Sequence, residues 1–198
     1  MFVPTLEEDP GTGLEEREAS ADSTVVWAED LRRLSSDGLM RLYMGGSAPG
    51  SVRAVEGHPV GLGVALIVLS GGRIDRWLRR YSRSQRFPWH GKSFEAISDT
   101  EGWGWNRLAI GPVLAAFPFR TYIAPSKIDG GPALAVDYDT PRNPWWQRGV
   151  LDELREVIPG VFLGIFGARI FGGYRRLAWF AVDTTRQRPL SNDGHEKR

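Results

Sequence analysis

The sequence predicts a mainly β domain, an up-and-down antiparallel β-barrel, and three observations lead there. Short apolar runs recur through the middle and C-terminal parts of the 198-residue chain, separated by Gly and Pro. Several alternate with period two, as in Ala133-Leu134-Ala135-Val136-Asp137-Tyr138-Asp139. The breaks between runs are tight: Ile158-Pro159-Gly160 and Gly172-Gly173 read as hairpin turns, with Gly supplying a positive backbone angle. Seven or eight sequential strands with short turns close most easily into a barrel, which removes the exposed edges of the sheet.

In chain order, a short N-terminal helix is predicted around Ala28-Glu29-Asp30-Leu31-Arg32-Arg33-Leu34, and Leu39 to Gly45 is a further strand candidate. The run Val60 to Leu69 is ambiguous, because its Gly and β-branched residues oppose a helix while its position favours continuity with the next one. That next helix is predicted over Ile74–Tyr81, where Ile74, Trp77, Leu78 and Tyr81 fall at i, i+3, i+4 and i+7. As a helical insertion it would cap one mouth of the barrel. Strands are then predicted at 88–98, 103–111, 116–124, 132–139, 149–158, 161–170 and 174–183.

The ends differ from the middle. Residues 1–24 carry seven carboxylates against the single cation Arg17 and hardly any large apolar side chain, so they are expected to be a disordered acidic tail. Residues 25–185 are the expected barrel domain, and 186–198 a flexible polar tail. The overall charge of +1 therefore hides a basic body, much of it in Arg73, Arg76, Arg79, Arg80, Arg83 and Arg86. Such a run is either the solvated face of a helix or a surface for an anionic partner; the expectation is the former, with no nucleic acid bound. No secretory pattern opens the chain, and the longest apolar run, Pro59 to Leu69, is too short for a bilayer span. A cytoplasmic protein without a membrane span is expected.

Several chemistries are excluded by mismatch. Absence of cysteine removes thiol nucleophiles, disulfides and thiolate metal sites. Gly91-Lys92-Ser93 resembles the end of a phosphate loop, but the glycine required five residues before Gly91 is Arg86. No Gly-x-Ser-x-Gly elbow occurs, and Gly61-Leu62-Gly63 lacks the third glycine of a dinucleotide fingerprint. His58, His90 and His195 have no metal-ligand spacing, so no metal is expected; His90 is the better candidate for a single axial haem ligand.

Eight tryptophans are the more informative signal. A barrel of about eight strands is either filled by its own side chains or holds one small ligand, and aromatic walls with a few polar groups favour the ligand. Charges point the same way. On 150–157, alternation puts Asp152, Leu154 and Glu156 on one face and Leu151, Glu153, Arg155 and Val157 on the other. Either choice encloses a charge that needs a partner, unless the charges sit at a strand end and reach water.

These residues also carry a resemblance. Trp89-His90-Gly91-Lys92-Ser93-Phe94, Trp105-Asn106, Ser126-Lys127-Ile128-Asp129-Gly130, Val136-Asp137-Tyr138 and Leu151 to Gly164 resemble bacterial lipocalin-like (calycin-type) barrels related to the GXWXG family, over roughly residues 38–182. The Gly-x-Trp-x-Gly motif itself is absent; the nearest stretch is Met40-Arg41-Leu42-Tyr43-Met44-Gly45-Gly46. The resemblance implies a lipocalin-like fold around a small, largely apolar organic molecule. Trp89, His90, Trp103, Trp105, Asn106, Tyr138 and Trp179 are the expected ligand contacts. Lys92, Asp152 and Arg155 are the candidate catalytic residues, each costly to enclose unless paired or used. Isomerisation or cyclisation is the candidate reaction, with no cofactor. The alternative is a non-catalytic carrier or sensor of a hydrophobic ligand or haem.

Overall fold

A computed structural model describes residues 27–67, 88–109 and 113–188. The predicted helix at 74–81 and its arginines, the acidic tail and the last ten residues lie outside the described residues. A 3-10 turn, Ala28–Arg33, precedes helix α1, Ser36–Gly45, and a second 3-10 turn, Val52–Val55, leads into the sheet. Eight strands follow: β1 Pro59–Leu66, β2 Trp89–Ala96, β3 Glu101–Ala109, β4 Val113–Pro125, β5 Pro132–Asp137, β6 Val150–Ile158, β7 Val161–Ile170 and β8 Gly173–Gln187. All pairings are antiparallel, in the order β1-β8-β7-β6-β5-β4-β3-β2. The up-and-down, lipocalin-like barrel is thus the fold. Its last strand runs two residues past the expected domain boundary at 185.

The ladder leaves β1 and β2 as the two edges, and three devices bring them together. Gly57 and Phe94 exchange both backbone hydrogen bonds at 2.9 Å. Gly61 meets Gly91 backbone to backbone, so closely that a Cβ on Gly61 would stand 2.3 Å from the Gly91 Cα; no other residue fits there. Across this seam the buried Arg107 guanidinium donates to the carbonyls of Pro59 and Arg188, and to that of His90 at 3.2 Å. It ties β1 and the end of β8 to β2. Taking this group out of water pushes its pKa down to about 10, and nearby Arg188 adds to the effect.

Two apolar clusters divide the molecule. The outer one packs Leu31, Leu39 and Tyr43 against Leu163, Ile165 and Trp179 on the outside of β7 and β8. The inner one fills the end of the barrel near Val52 and Val55 with Phe94, Phe119, Leu134, Leu154, Phe162 and Val182. The expected strand at Leu39 to Gly45 is instead the body of α1. Ser35 caps it by accepting from Gly38 N–H at 3.1 Å, and Leu39 and Tyr43, one turn apart, supply its buried face. The ambiguous run from Val60 resolves as β1, because its residues pair with β8 from Val60↔Asp183 to Leu66↔Ala178. The Pro159-Gly160 hairpin forms as predicted, with Gly160 at φ +76°. Among the described residues no helix is long and apolar enough to cross a membrane.

Candidate functional site: a half-filled barrel with a buried charge cluster

Irregularities in two strands, β2 and β4, help to place the inward polar groups. On β2 the register shifts between Trp89 and Gly91, so that Trp89 and Lys92 both face inward despite standing three residues apart. The β3–β4 ladder shifts between Trp105 and Asn106, opposite Phe117, whose φ of +52° is left-handed. Such a backbone costs a bulky residue about 1–3 kcal/mol and marks a place the surroundings over-determine. Here the Phe117 ring meets Trp146 edge-on with centroids 5.6 Å apart. Tyr138 follows β5 with the inward phase of Leu134 and Val136, and Asp152 comes inward from β6 beside Val136.

These groups meet. Lys92 Nζ donates to Asp152 Oδ2 at 2.8 Å, to Asn106 Oδ1 at 3.1 Å and to Tyr138 Oη. Asn106 Nδ2 donates to Tyr138 Oη at 2.9 Å, and Trp89 Nε1 to Asn106 Oδ1 at 3.0 Å. Rings of Phe119, Phe180, Tyr138 and Trp89 surround the ammonium at 5.1–5.8 Å from their centroids. Lys92 is 3 % exposed and Asp152 1 %, so both charges have left water. Burial pushes the Lys92 pKa down and that of Asp152 up, while each partner opposes the shift of the other. Tyr138 is driven well above its ordinary value by burial and by the neighbouring Asp152 charge. Asp152 Oδ1 has no hydrogen-bond partner; the Gly167 N–H favours the charged carboxylate without completing a bond to it.

The cluster forms part of the wall of a cavity of about 330 Å³. Val64, Leu66, Leu108, Phe117, Phe166 and Phe180 make most of the remaining surface apolar. Gln147, from the loop between β5 and β6, adds a side-chain amide to the lining. The cavity lies toward the end of the barrel opposite the Val52–Val55 plug, where β1 ends at Leu66 and β2 begins at Trp89. Trp145, Trp146 and Phe171 stand exposed on the loops of that same end.

Six of the ten expected site residues line this cavity: Trp89, Lys92, Asn106, Tyr138, Asp152 and Trp179. Trp179 does so from the outer cluster, its ring edge-on to Tyr43 at 5.9 Å. The other four are placed elsewhere. Trp103 is exposed and Trp105 half-buried on the outward phase of β3, and His90 sits at the β1–β2 seam with its carbonyl on Arg107. His90 is not among the residues that line the cavity.

Arg155 also faces outward, because three residues of regular strand separate it in phase from Asp152. It forms a bidentate pair with Asp129 at 2.7 and 2.8 Å, donates to Pro132 O at 3.0 Å and stacks on the Tyr43 ring at 4.8 Å. Its neighbour on the same face, Glu153, accepts from Ser126 Oγ at 2.6 Å and Lys127 N–H at 2.7 Å. The partner of Asp152 is Lys92, not Arg155.

Phe166 and Phe180 were legible as alternate positions of predicted strands, since the cavity face of β7 and β8 follows period two. Gln147 carried no signal in the sequence. No family model and no curated protein matches this chain. A solved structure of a protein from Thermomonospora curvata is similar at 17 % identity and a TM-score of 0.47, over 87 % of this chain and 96 % of that one.

Proposed function

We propose that this protein binds a small, largely apolar organic molecule inside the barrel and acts on it by proton transfer, in an isomerisation or cyclisation. The observation that carries the reading is an apolar cavity of about 330 Å³ with a buried Lys–Asp pair in its wall. That volume is at the small end of the ~300–1,000 Å³ range of small-molecule pockets. Burial draws the two pKa values of the pair toward each other, the direction in which sites for general acid–base work are tuned. The lipocalin-like resemblance agrees with a container of this kind.

A carrier without turnover is the second reading, and one observation favours it. All three N–H groups of Lys92 are used within the protein, as in a network that shapes a binding site rather than reacting in it. Native mass spectrometry of the purified protein, followed by incubation of the copurified molecule with fresh protein, separates the two. Conversion that Asp152→Asn abolishes while the molecule still binds supports the enzyme; return of the molecule unaltered leaves the carrier. Failure of any hydrophobic molecule to quench tryptophan emission stoichiometrically through Trp89 would remove both.

A further inference from the structure

The barrel has two unlike ends. Around the Val52–Val55 plug, the loops 97–100 and 126–131 expose Asp99, Lys127 and Asp129, and one large apolar side chain, Ile97. The cavity end reverses this. Trp145 is 84 % exposed and Phe171 102 %, and Trp146 and Leu114 stand exposed at the same end. Over 138–149 and 168–176, five exposed arginines, Arg142, Arg148, Arg169, Arg175 and Arg176, face one exposed carboxylate, Asp139. The two segments are joined: Arg169 N–H donates to Gly149 O at 2.9 Å. Trp146 meets the cavity wall directly through Phe117.

Phe171 is the most telling of these residues. With Gly172 it makes a two-residue hairpin turn between Ile170 and Gly173, both at positive φ, +51° and +78°. Such a turn favours Asn-Gly, and its left-handed backbone strains a bulky residue. No packing offsets that strain, because the ring is bare. We propose that this end of the barrel docks on an anionic lipid bilayer, with Trp145 and Phe171 entering the headgroup region and the arginines meeting lipid phosphates. Aromatic rings favour the boundary between headgroups and acyl chains, and arginines near an anionic leaflet add attraction. Docking sets the cavity end against the phase in which apolar molecules concentrate. Single-stranded nucleic acid is the other anionic partner to weigh, and it is met by successive aromatics along a basic groove. Here the rings stand at the tips of separate loops. The inference rests on the cavity reading only for its cargo.

The test is sedimentation of the whole protein with phosphatidylcholine vesicles, pure or containing about one-third phosphatidylglycerol. Binding should be about tenfold or more stronger on the anionic vesicles, and weaken as salt rises from about 0.1 M to about 0.5 M. The double variant Trp145→Ser, Phe171→Asn should lose about tenfold in vesicle binding. It should melt no lower than the unmodified protein, since both rings are exposed and Asn fits the turn. Equal binding to both vesicle types, no binding to either, or a variant that binds as the unmodified protein does would overturn the proposal. So would a dimer in solution that the variant dissolves, which makes the patch an interface between copies. A lower Kd for a single-stranded oligonucleotide than for the vesicles, raised in the same variant, would assign the patch to nucleic acid instead. Quenching of tryptophan by a hydrophobic molecule needs no vesicle, so the cavity reading can fail while docking stands, and the reverse.

Discussion

Strand β6 carries two ion pairs on its two faces, the inner one fully buried and the outer one with an exposed carboxylate, and they are built differently. On the outside, a bidentate carboxylate and the backbone carbonyls of Pro132 and Tyr43 take four of the five N–H groups of Arg155, and its plane stacks on an aromatic ring. Glu153 beside it holds the turn after β4 through Ser126 and Lys127. Together they fasten α1 and that turn to the sheet. On the inside, Lys92 is saturated but Asp152 is not, and the unpaired oxygen belongs to a residue that borders a cavity. The outer network serves the fold; the inner one stands in the wall of a cavity of about 330 Å³.

The comparison can be broken most decisively at Arg155. Replacing it with Met strands the Pro132 carbonyl, frees Asp129 and removes the stack on Tyr43. The expected loss is about 2–4 kcal/mol, from the unmet Pro132 carbonyl and the lost stack on Tyr43, with ligand binding retained in the folded fraction. Urea denaturation beside a binding titration measures both; wild-type stability would show the outer network to be ornamental.

Asp152→Asn should cost less, about 1–3 kcal/mol, because the amide oxygen still accepts from Lys92 and the lysine can shed its proton. Its signature is pH dependence. Burial lowers the Lys92 pKa and Asp152 is what opposes that shift, so the variant holds a still more depressed lysine. The unfolded chain then binds a proton that the folded one does not, and stability rises with pH until the unfolded lysine titrates near about 10.4. Denaturation midpoints at about pH 6 and pH 9 test the sign. A midpoint that falls over that interval would mean Lys92 stays charged without its partner.

The smallest effect belongs to Trp103. It is 38 % exposed on the outward phase of β3, so Trp103→Ala should change stability by about 0.5 kcal/mol or less and leave binding unaltered. Loss of binding in this variant would place the ligand outside the barrel.

The sequence by itself determined the strands and their phase. Period-two patterning and the Gly and Pro breaks placed seven strands close to their final bounds and put Asp152 and Arg155 on opposite faces, because side-chain direction along a strand is a local property. Leu39 to Gly45 read as a strand candidate and is a helix, although Ser35 followed by Asp37 in a first helical turn was a usable signal. Only the tertiary structure decided which charges meet. Lys92 stands 60 positions from Asp152 along the chain, and their contact depends on barrel closure and on the bulge at His90-Gly91, neither of which has a local signature. Whether the interior would be filled or hollow was also decided there. The answer is both, filled by Phe94, Phe119 and Phe162 at one end and open beside Phe117 and Gln147 at the other. Packing depends on how rings from eight strands share one volume, and no single strand contains that sum.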